Sequence, residues 1–473
     1  MTFTSYTFAL FFAAVWAFQR LPLPWTARKA FFLFASYGFY AAWKWPYLSL
    51  LFASTAADWF LARWLAGQTS LPRRRLLLSA SLVFNLGLLA TFKYSGFLFE
   101  NLSRMFGQFG VPFSAEPLSA VLPVGISFYT FQTLSYTIDI YRGRLAPARS
   151  PLDYALYVAF FPQLVAGPIV RAADFLPQLA EPKKPSDQTL GFGLALITLG
   201  VFQKSVLADG VMAPVAEAVF DGGTVSMLTA WAGALAFAGQ IYCDFAGYSA
   251  IALGAAACLG FSLPENFRAP YAAIGFSDFW RRWHVSLSSW LRDYLYVPLG
   301  GNHRGELRAH ANRMITMLLG GLWHGANWTY VLWGGLHGAW LILERVCVRI
   351  AGGWTVWRRP MVRALLGLGT LAVVCWTWVF FRARTLPRAL SIAGAMLGGG
   401  EKTASVNLAL ADGIAALACV LGLVACHIWL RRRTLADVCA RAPWWARALV
   451  FSVLVFLICT MPGRDRAFIY FQF

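Results

Sequence analysis

The sequence predicts an all-α integral membrane protein. Of its 473 residues, 59% are hydrophobic and 16% are aromatic, whereas only 13% are charged. In soluble domains, charged residues make up about a quarter of the chain. Long apolar stretches recur from one end of the sequence to the other, and each crossing of a hydrocarbon layer needs about 20 apolar residues. The chain is therefore long enough for around ten membrane spans.

The apolar stretches give the order of the predicted helices. They run at about 1–18, 30–43, 47–66, 76–93, 117–140, 152–170, 187–207, 226–262, 313–345, 364–381, 406–430 and 444–461. Several are too short for a full span or carry Gly and Pro, so we expect re-entrant and interfacial helices lined by protein or water. Without a fixed-period repeat or a long linker, residues 1–473 are predicted to form a single membrane-embedded domain.

The net charge of +19 has two interpretations, nucleic-acid binding or membrane topology. The basic residues stand in short clusters between apolar runs, as in Arg73–Arg75 and Arg431–Arg433. This pattern is typical of cytoplasmic loops that follow the positive-inside rule, and it indicates no nucleic-acid partner. On this placement the N-terminus lies outside, the last helix runs outward, and the tail 462–473 begins at the outer, periplasmic surface. Arg464 and Arg466 count mildly against that side.

His324 is the strongest candidate for a catalytic residue. It stands in "LLGGLWHGANWTYVLWGGLHGAW", an almost uncharged stretch between basic segments, which predicts a helical hairpin with His324 near its tip at mid-depth. Ionisable groups at that depth are costly and are functional candidates by default, although a packed core histidine is the alternative. Asn327 and the neighbouring tryptophans suggest a polar pocket with aromatic walls. His337, expected on the same helix about 20 Å away, is predicted to have a packing role.

His284 belongs to a second unusual segment, "FSDFWRRWHVSLSSWLRDYLYVPLGGN". Aromatic and aliphatic residues recur there at helical spacing beside arginines, which is the pattern of an amphipathic helix at a membrane surface, in contact with lipid headgroups. One interpretation is an anchor helix with an incidental histidine. The other is a basic, aromatic platform in which Arg281, Arg282, Trp283 and Arg292 receive a phosphate-bearing cosubstrate.

These motifs resemble the membrane-bound O-acyltransferases, specifically the bacterial alginate O-acetyltransferase branch. Further blocks of that branch occur in the same order, so that the resemblance covers about 120–340: "PVGISFYTFQTLSYTIDIYRG", "FFPQLVAGPIVR" and "YCDFAGYSAIALG". The resemblance implies about eleven transmembrane helices around a thin centre where funnels from both sides meet. It also implies that His324 is the catalytic histidine and His284 a second, less strictly required one. Ala250 departs from the family pattern, which often has an acidic residue after "GYS".

The resemblance further implies a reaction. An acetyl group would come from a cytosolic thioester, acetyl-CoA, with the Arg281–Trp283 platform, Arg292 and Asn327 as candidates for binding it, and no metal or resident cofactor is expected. The final "FIYFQF" matches an FxYxxF pattern of this branch, in which Tyr470 would act as an acyl relay. A periplasmic SGNH-hydrolase-like transferase would then acetylate a polysaccharide, either an alginate-like exopolysaccharide or peptidoglycan, at the bacterial inner membrane. The alternative for this tail is an interfacial aromatic anchor.

Two other functions remain open at this point. A membrane transporter or flippase also suits a mid-membrane histidine and broken helices. Within the same enzyme family, a teichoic-acid D-alanyl transfer protein is the alternative, although that system carries its tyrosine on a separate peptide.

Overall fold

A computed structural model describes residues 2–111, 113, 122–165, 167–401, 405–406, 408–464 and 466–469. Throughout these ranges every regular element is helical and there is no β-strand. The all-α prediction is therefore confirmed. The chain divides into two compact units, the first formed by Met1–Gly193 with Ala255–Pro264 and the second by Leu194–Gly254 with Glu265–Phe473. The single domain expected over 1–473 stays a prediction.

The first unit contains nine helices and the start of a tenth among its described residues. In chain order these are α1 Tyr6–Gln19, α2 Trp25–Lys44, α3 Leu48–Ala66, α4 Leu71–Leu89, α5 Ser95–Gln108, α6 Ile126–Tyr141, α7 Pro151–Ala159, α8 Phe161–Leu164, α9 Ala172–Phe175 and α10 Asp187–Val201. A π-helical turn, Ala90–Tyr94, joins α4 to α5 without a break.

A buried carboxylate lies among α3, α4 and α6 of the first unit. Three neutral side chains donate hydrogen bonds to Asp58, from Ser81 (2.5 Å), Asn85 (2.7 Å) and Thr137 (3.4 Å). The Asn85 carbonyl oxygen in turn accepts a hydrogen bond from Ser54 at 3.0 Å. Because a buried polar group without a partner is destabilising, this closed set of donors explains how the carboxylate is tolerated.

The second unit continues α10 through a long π-helix, Phe202–Met212, and holds the remaining helices. These are α11 Ala213–Phe220, α12 Met227–Cys258, α13 Phe276–Trp280, α14 Val285–Leu291, α15 Glu306–His324, α16 Trp328–Ala351, α17 Pro360–Arg382, α18 Leu386–Gly394, α19 Leu410–Leu430, α20 Leu435–Arg441 and α21 Trp444–Thr460. The last four residues of α12 count with the first unit. Helix α12 is 32 residues long, and most of its apolar window is buried.

Six continuous helical stretches among the described residues are long and apolar enough to cross a membrane, and two of them combine α-helices that a π-helix joins (α4 with α5, and α10 with α11). They are Leu71–Gln108, Asp187–Phe220, Met227–Cys258, Trp328–Ala351, Pro360–Arg382 and Leu410–Leu430, and Tyr6–Gln19 and Trp444–Thr460 are shorter apolar helices. The protein is therefore a multi-pass membrane protein. The expected number of about eleven spans stays a prediction.

Helices α15 and α16 form a hairpin whose backbones touch. A side chain on Gly321 would meet the backbone of Tyr330, and its Cβ would lie 3.2 Å from the Gly334 Cα. A side chain on Gly334 would likewise meet the backbone of Met317. Glycines on facing helices allow this close approach, which is typical of helix pairs in membranes. The hairpin holds the candidate histidine at its closed end.

Candidate active site

His324 is the last residue of α15, and the chain reverses immediately after it. Gly325 is extended (φ −165°, ψ 150°), and Asn327 caps α16 by accepting a hydrogen bond from the Thr329 N–H at 3.0 Å. The Asn327 amide also donates to the Arg384 carbonyl at 3.2 Å. The predicted hairpin tip is confirmed, and within it the Asn327 side chain is engaged in closing the turn.

Aromatic rings surround the His324 imidazole. Its ring centroid lies 5.0 Å from that of Trp323, 5.2 Å from that of Trp333 and 5.2 Å from that of Phe381. The His324 residue is only 2% exposed. The expectation of aromatic walls around this histidine is confirmed by these contacts.

His337 lies on α16, whereas His324 ends α15, so the expectation of one shared helix was wrong. The reason is the turn at Gly325–Asn327, the tip of the predicted hairpin, which places the two histidines on different helices. The His337 Nδ1 accepts a hydrogen bond from Trp280 Nε1 at 3.2 Å, and its Nε2 lies 3.0 Å from the Thr377 hydroxyl oxygen. With both nitrogens engaged, His337 is a packed, hydrogen-bonded histidine, as predicted.

His284 lies in the interior and not on a surface helix. The segment forms two short helices, α13 and α14, and His284 precedes α14 with left-handed backbone angles (φ 43°, ψ 55°). The residue is fully buried, at 0% exposure. The expected continuous amphipathic helix was therefore wrong, because the chain bends at Arg281–His284 and turns its aromatic residues inward.

Asn266 holds this bend in place. Its backbone carbonyl accepts a hydrogen bond from the Val285 N–H at 2.9 Å, and its side-chain oxygen accepts one from the Ser286 hydroxyl at 2.6 Å. The Asn266 amide donates to Ser249 Oγ on α12 at 3.0 Å. A left-handed conformation at a residue with a side chain costs about 1–3 kcal/mol, so the surrounding contacts must maintain it.

The structure brings the two predicted histidines together. Their ring centroids are 6.5 Å apart, and Trp323 contacts both rings, at 6.0 Å from His284 and 5.0 Å from His324. Phe245 of α12 packs edge-on against His284 at 4.7 Å. Two imidazoles in an aromatic, buried enclosure can exchange protons with a substrate while excluding bulk water.

The predicted donor-binding residues differ in burial and in their partners. Trp283 is fully buried and packs against Phe279 and Trp378, at ring distances of 5.7 Å and 4.9 Å. Arg282 pairs with Asp278 at 3.0 Å, and exposed Arg292 pairs with neighbouring Asp293 at 2.6 Å. Arg281 is exposed. A role for any of them in donor binding stays a prediction.

One aromatic ring connects the tail to His284. Phe468 is fully buried, with its ring 4.3 Å from that of Tyr248 and 5.8 Å from that of Phe245, the same ring that contacts His284. The Ile469 N–H donates to Asp244 Oδ2 at 2.8 Å. Tyr470, the predicted relay, lies outside the described residues.

A buried charge cluster was missed in the sequence. Lys204 Nζ lies 2.8 Å from Asp209 Oδ1 and 2.5 Å from Asp244 Oδ1, and all three side chains are almost completely buried. The sequence did contain an indication of this cluster. Lys204 lies within the apolar stretch 187–207 and Asp209 directly follows it, and charged residues in such stretches are functional candidates by default. Among the described residues, no group of three or more His, Cys, Asp or Glu could hold a metal ion.

A family model and several individual relatives assign this chain to the same family. The model of the membrane-bound O-acyltransferase family matches residues 144–359. The "Probable alginate O-acetylase AlgI" of Azotobacter vinelandii is 38% identical over 408 residues, which cover 86% of this chain and 80% of the relative. The protein of that name in Pseudomonas aeruginosa is 39% identical over 377 residues, covering 79% and 70%. The peptidoglycan O-acetyltransferase of Helicobacter pylori is 36% identical over 397 residues, covering 78% and 74%.

The matched region includes the segment of His284 and the whole α15–α16 hairpin with His324. These similarities extend over most of each protein, and they agree with the helical, multi-pass architecture. The chain therefore belongs to the membrane-bound O-acyltransferase family, with the alginate O-acetylases among its relatives, and it is an O-acyltransferase.

Proposed function

We propose that this enzyme transfers an acetyl group from cytosolic acetyl-CoA across the bacterial inner membrane, for O-acetylation of an extracytoplasmic polysaccharide. The relatives are named as alginate O-acetylases and as a peptidoglycan O-acetyltransferase, and these names support the choice of an acetyl group and of a polysaccharide acceptor. One structural observation carries the proposal further. Phe245 contacts both the His284 ring (4.7 Å) and the tail residue Phe468 (5.8 Å), so the tail and His284 share one neighbour.

His324 is proposed as the general base. A hydroxyl attacks a thioester slowly unless its proton is removed, and an imidazole can accept that proton near neutral pH. The position of His324 suits this role, because it ends α15 and the C-terminal end of a helix favours the positive charge that the ring acquires. His284, with its ring 6.5 Å away, is proposed to assist as the second histidine.

Tyr470 is proposed as the acyl relay. In the first step its phenolic oxygen bonds to the acetyl carbonyl carbon, the bond from that carbon to the coenzyme A sulfur breaks, and the phenolic proton passes through His324 to the leaving thiolate. In the second step an acceptor hydroxyl oxygen bonds to the acetyl carbonyl carbon, the bond from that carbon to the phenolic oxygen breaks, and the hydroxyl proton passes to the phenolate, which regenerates Tyr470. A phenol with a pKa of about 10 leaves more readily than a sugar alkoxide, so the ester keeps much of the thioester's transfer potential.

The second step is assigned to a periplasmic SGNH-hydrolase-like transferase, which would select the polymer. This assignment requires the tail 462–473 to be on the periplasmic side. On the cytosolic side, exposed Arg281 and Arg292 are the candidates for contact with the donor's phosphates, because guanidinium groups bind phosphate oxygens in pairs.

The test compares two substitutions in cells that carry the cognate polymer. Tyr470→Phe retains the ring and removes the nucleophile, and His324→Ala removes the base. We expect both variants to lose polymer acetylation by at least two orders of magnitude, consistent with the usual contribution of general base catalysis. Acetyl esters on purified polymer are measured by mass spectrometry, and Tyr6→Phe, at an exposed position outside the site, is the matched control.

Normal acetylation by a well-folded Tyr470→Phe protein would exclude the relay, and normal acetylation by His324→Ala would exclude the base. Family membership argues against the transporter alternative, which would require no thioester. Teichoic-acid D-alanylation is the less favoured acyl transfer, because this chain carries its own FxYxxF tail. Labelled acetyl-CoA supplied to the purified protein distinguishes these cases, since only an acetyltransferase consumes it in a His324-dependent manner.

A further inference from the structure

The tail reaches the interior of the second unit along the π-helix Phe202–Met212. The Gly463 N–H donates to the Ser205 carbonyl at 3.0 Å. A Cβ on Gly463 would collide with the backbone of Asp209 and Gly210, whereas a Cβ on Gly210 would lie 3.5 Å from the Gly463 Cα, at ordinary contact distance. Glycine is therefore required on the tail side of this contact and not on the helix side.

Arg466 makes the next contact. Its guanidinium forms two parallel hydrogen bonds with Glu217, Nε to Oε1 at 2.7 Å and Nη2 to Oε2 at 2.8 Å, and Nη1 donates to the Asp209 carbonyl at 2.7 Å. Hydrogen bonding to Glu217 raises the pKa of Arg466 further above its ordinary value, so the guanidinium is charged at every working pH. A two-pronged Arg–carboxylate pair fixes orientation as well as proximity.

Asp244 makes the innermost contact. Its Oδ1 lies 2.5 Å from Lys204 Nζ, and its Oδ2 accepts the Ile469 N–H at 2.8 Å. Lys204 is shared with Asp209, so one cation faces two buried carboxylates. A buried carboxylate requires hydrogen bonds on its remaining lone pairs, and the tail amide supplies one of them.

We infer that Lys204, Asp209, Glu217 and Asp244 form a tail clamp, which docks the tail through Arg466 and Ile469 and thereby positions Tyr470 for acyl transfer. This inference rests on the proposed function and adds positioning residues to it. Together with the Ser205 carbonyl, which accepts the Gly463 N–H, the clamp holds the tail at three successive points, Gly463, Arg466 and Ile469, and this fixes the register of the chain. Tyr470 is the next residue in the chain.

The docked segment also lies close to the aromatic residues that contact His284. The Phe468 ring is held against Tyr248 and Phe245, and Phe245 is the ring that packs on His284. Asp244 accepts from the tail backbone, and Glu217 and the Asp209 carbonyl accept from Arg466. Lys204 does not bond to the tail but holds the side chains of Asp209 and Asp244, and none of the clamp residues is one of the two histidines. They are therefore positioning residues, which act on the reaction through the location of the tail.

The test measures docking directly, without activity. Ile469→Cys is introduced into a background in which the five cysteines that are not fully buried, Cys347, Cys419, Cys426, Cys439 and Cys459, are replaced by alanine. The rate of labelling by a water-soluble maleimide then reports whether position 469, which is 5% exposed, is covered. We expect slow labelling in this background, and labelling at least tenfold faster when Glu217→Arg or Asp244→Ala is added.

Rescue separates docking from general damage to the fold. Combining Glu217→Arg with Arg466→Glu reverses the pair and should restore slow labelling. Gly463→Ala should accelerate labelling and Gly210→Ala should not. Asp221→Asn is the matched control. It weakens the ion pair between Arg382 and Asp221 (2.8 Å), which includes no tail residue, and it should leave labelling unchanged. Equal labelling of all these variants, or a reversed pair that labels as fast as Glu217→Arg alone, would overturn the clamp.

Activity is measured separately, on the same substitutions in the chain with Ile469. We expect Glu217→Arg to lower the kcat of polymer acetylation by at least tenfold with an unchanged KM for acetyl-CoA, and the reversed pair to recover it. Faster labelling with normal acetylation would disprove the positioning role. If docking behaves as expected while Tyr470→Phe still acetylates polymer, the relay fails and the clamp remains as a docking site only.

Discussion

Two buried carboxylates in this protein are stabilised in opposite ways. In the first unit, Asp58 accepts hydrogen bonds from neutral side chains on neighbouring helices, Ser81 at 2.5 Å and Asn85 at 2.7 Å. In the second unit, Asp244 bonds to Lys204 at 2.5 Å and to a backbone amide of the tail at 2.8 Å. The Asp58 set is complete within its helices, whereas the Asp244 set is completed by a segment that follows the last helix.

This difference separates a structural polar cluster from one that serves docking. The donors at Asp58 lie on the neighbouring helices α4 and α6, so these hydrogen bonds stabilise the packing of α3 against them. At Asp244 one donor arrives only when the tail is docked, so the energy of a buried charge is linked to the position of the tail. Three substitutions test this comparison, beginning with the largest expected effect.

Lys204→Met should have the largest effect on stability. It leaves Asp209 and Asp244 buried without their shared cation, and breaking a buried pair in this way costs about 3–5 kcal/mol. The free energy of unfolding is measured with denaturant in detergent. Adding Asp209→Asn removes one of the two carboxylates and should recover part of the loss. A loss no greater than that of the Asp58 variant below would contradict the comparison.

Asp58→Asn should have an intermediate effect, about 1–3 kcal/mol, because the new amide has one acceptor oxygen where the carboxylate has two, so that either the Asn85 amide or the Ser81 hydroxyl loses its acceptor. Turning the Asn85 amide over would not help, since its oxygen already accepts from Ser54 at 3.0 Å and Thr133 at 3.2 Å. Adding Asn85→Asp should restore most of the stability, because the carboxylate then accepts from both sides. Maleimide labelling at position 469 should not change in either variant, and faster labelling would show that the two clusters are not independent.

Arg466→Lys should have the smallest effect. The lysine keeps the charge opposite Glu217 but loses the second parallel hydrogen bond of the guanidinium. A pair in which Glu217 is partly exposed contributes at most about 1 kcal/mol, so labelling of position 469 should become about two- to fivefold faster. Thermal stability should be unchanged. An increase in labelling as large as that caused by Glu217→Arg would mean that docking depends on the two parallel hydrogen bonds of the guanidinium and not on its charge.

Part of this site was predictable from the sequence for clear physical reasons. The hairpin and His324 followed from apolar stretches between basic segments, and the helical membrane fold followed from composition alone. His284 was placed wrongly because periodicity cannot register a single residue with φ 43°, after which the same sequence pattern faces inward. Asp244 could not be paired with Lys204 in advance, since their contact joins two helices that are distant in the chain.

Helix α12 contacts both the tail and the segment around His284. Within six consecutive residues it supplies Asp244 for the tail amide, Phe245 for the faces of His284 and Phe468, and Ser249 for the loop that bends at His284. Six residues are fewer than two turns of a rigid helix. The tail and His284 are thus aligned by the same short length of backbone, so their mutual alignment is kept when α12 shifts as a rigid body. A one-residue insertion between Phe245 and Ser249 would rotate Ser249 by about 100° relative to Asp244 and Phe245.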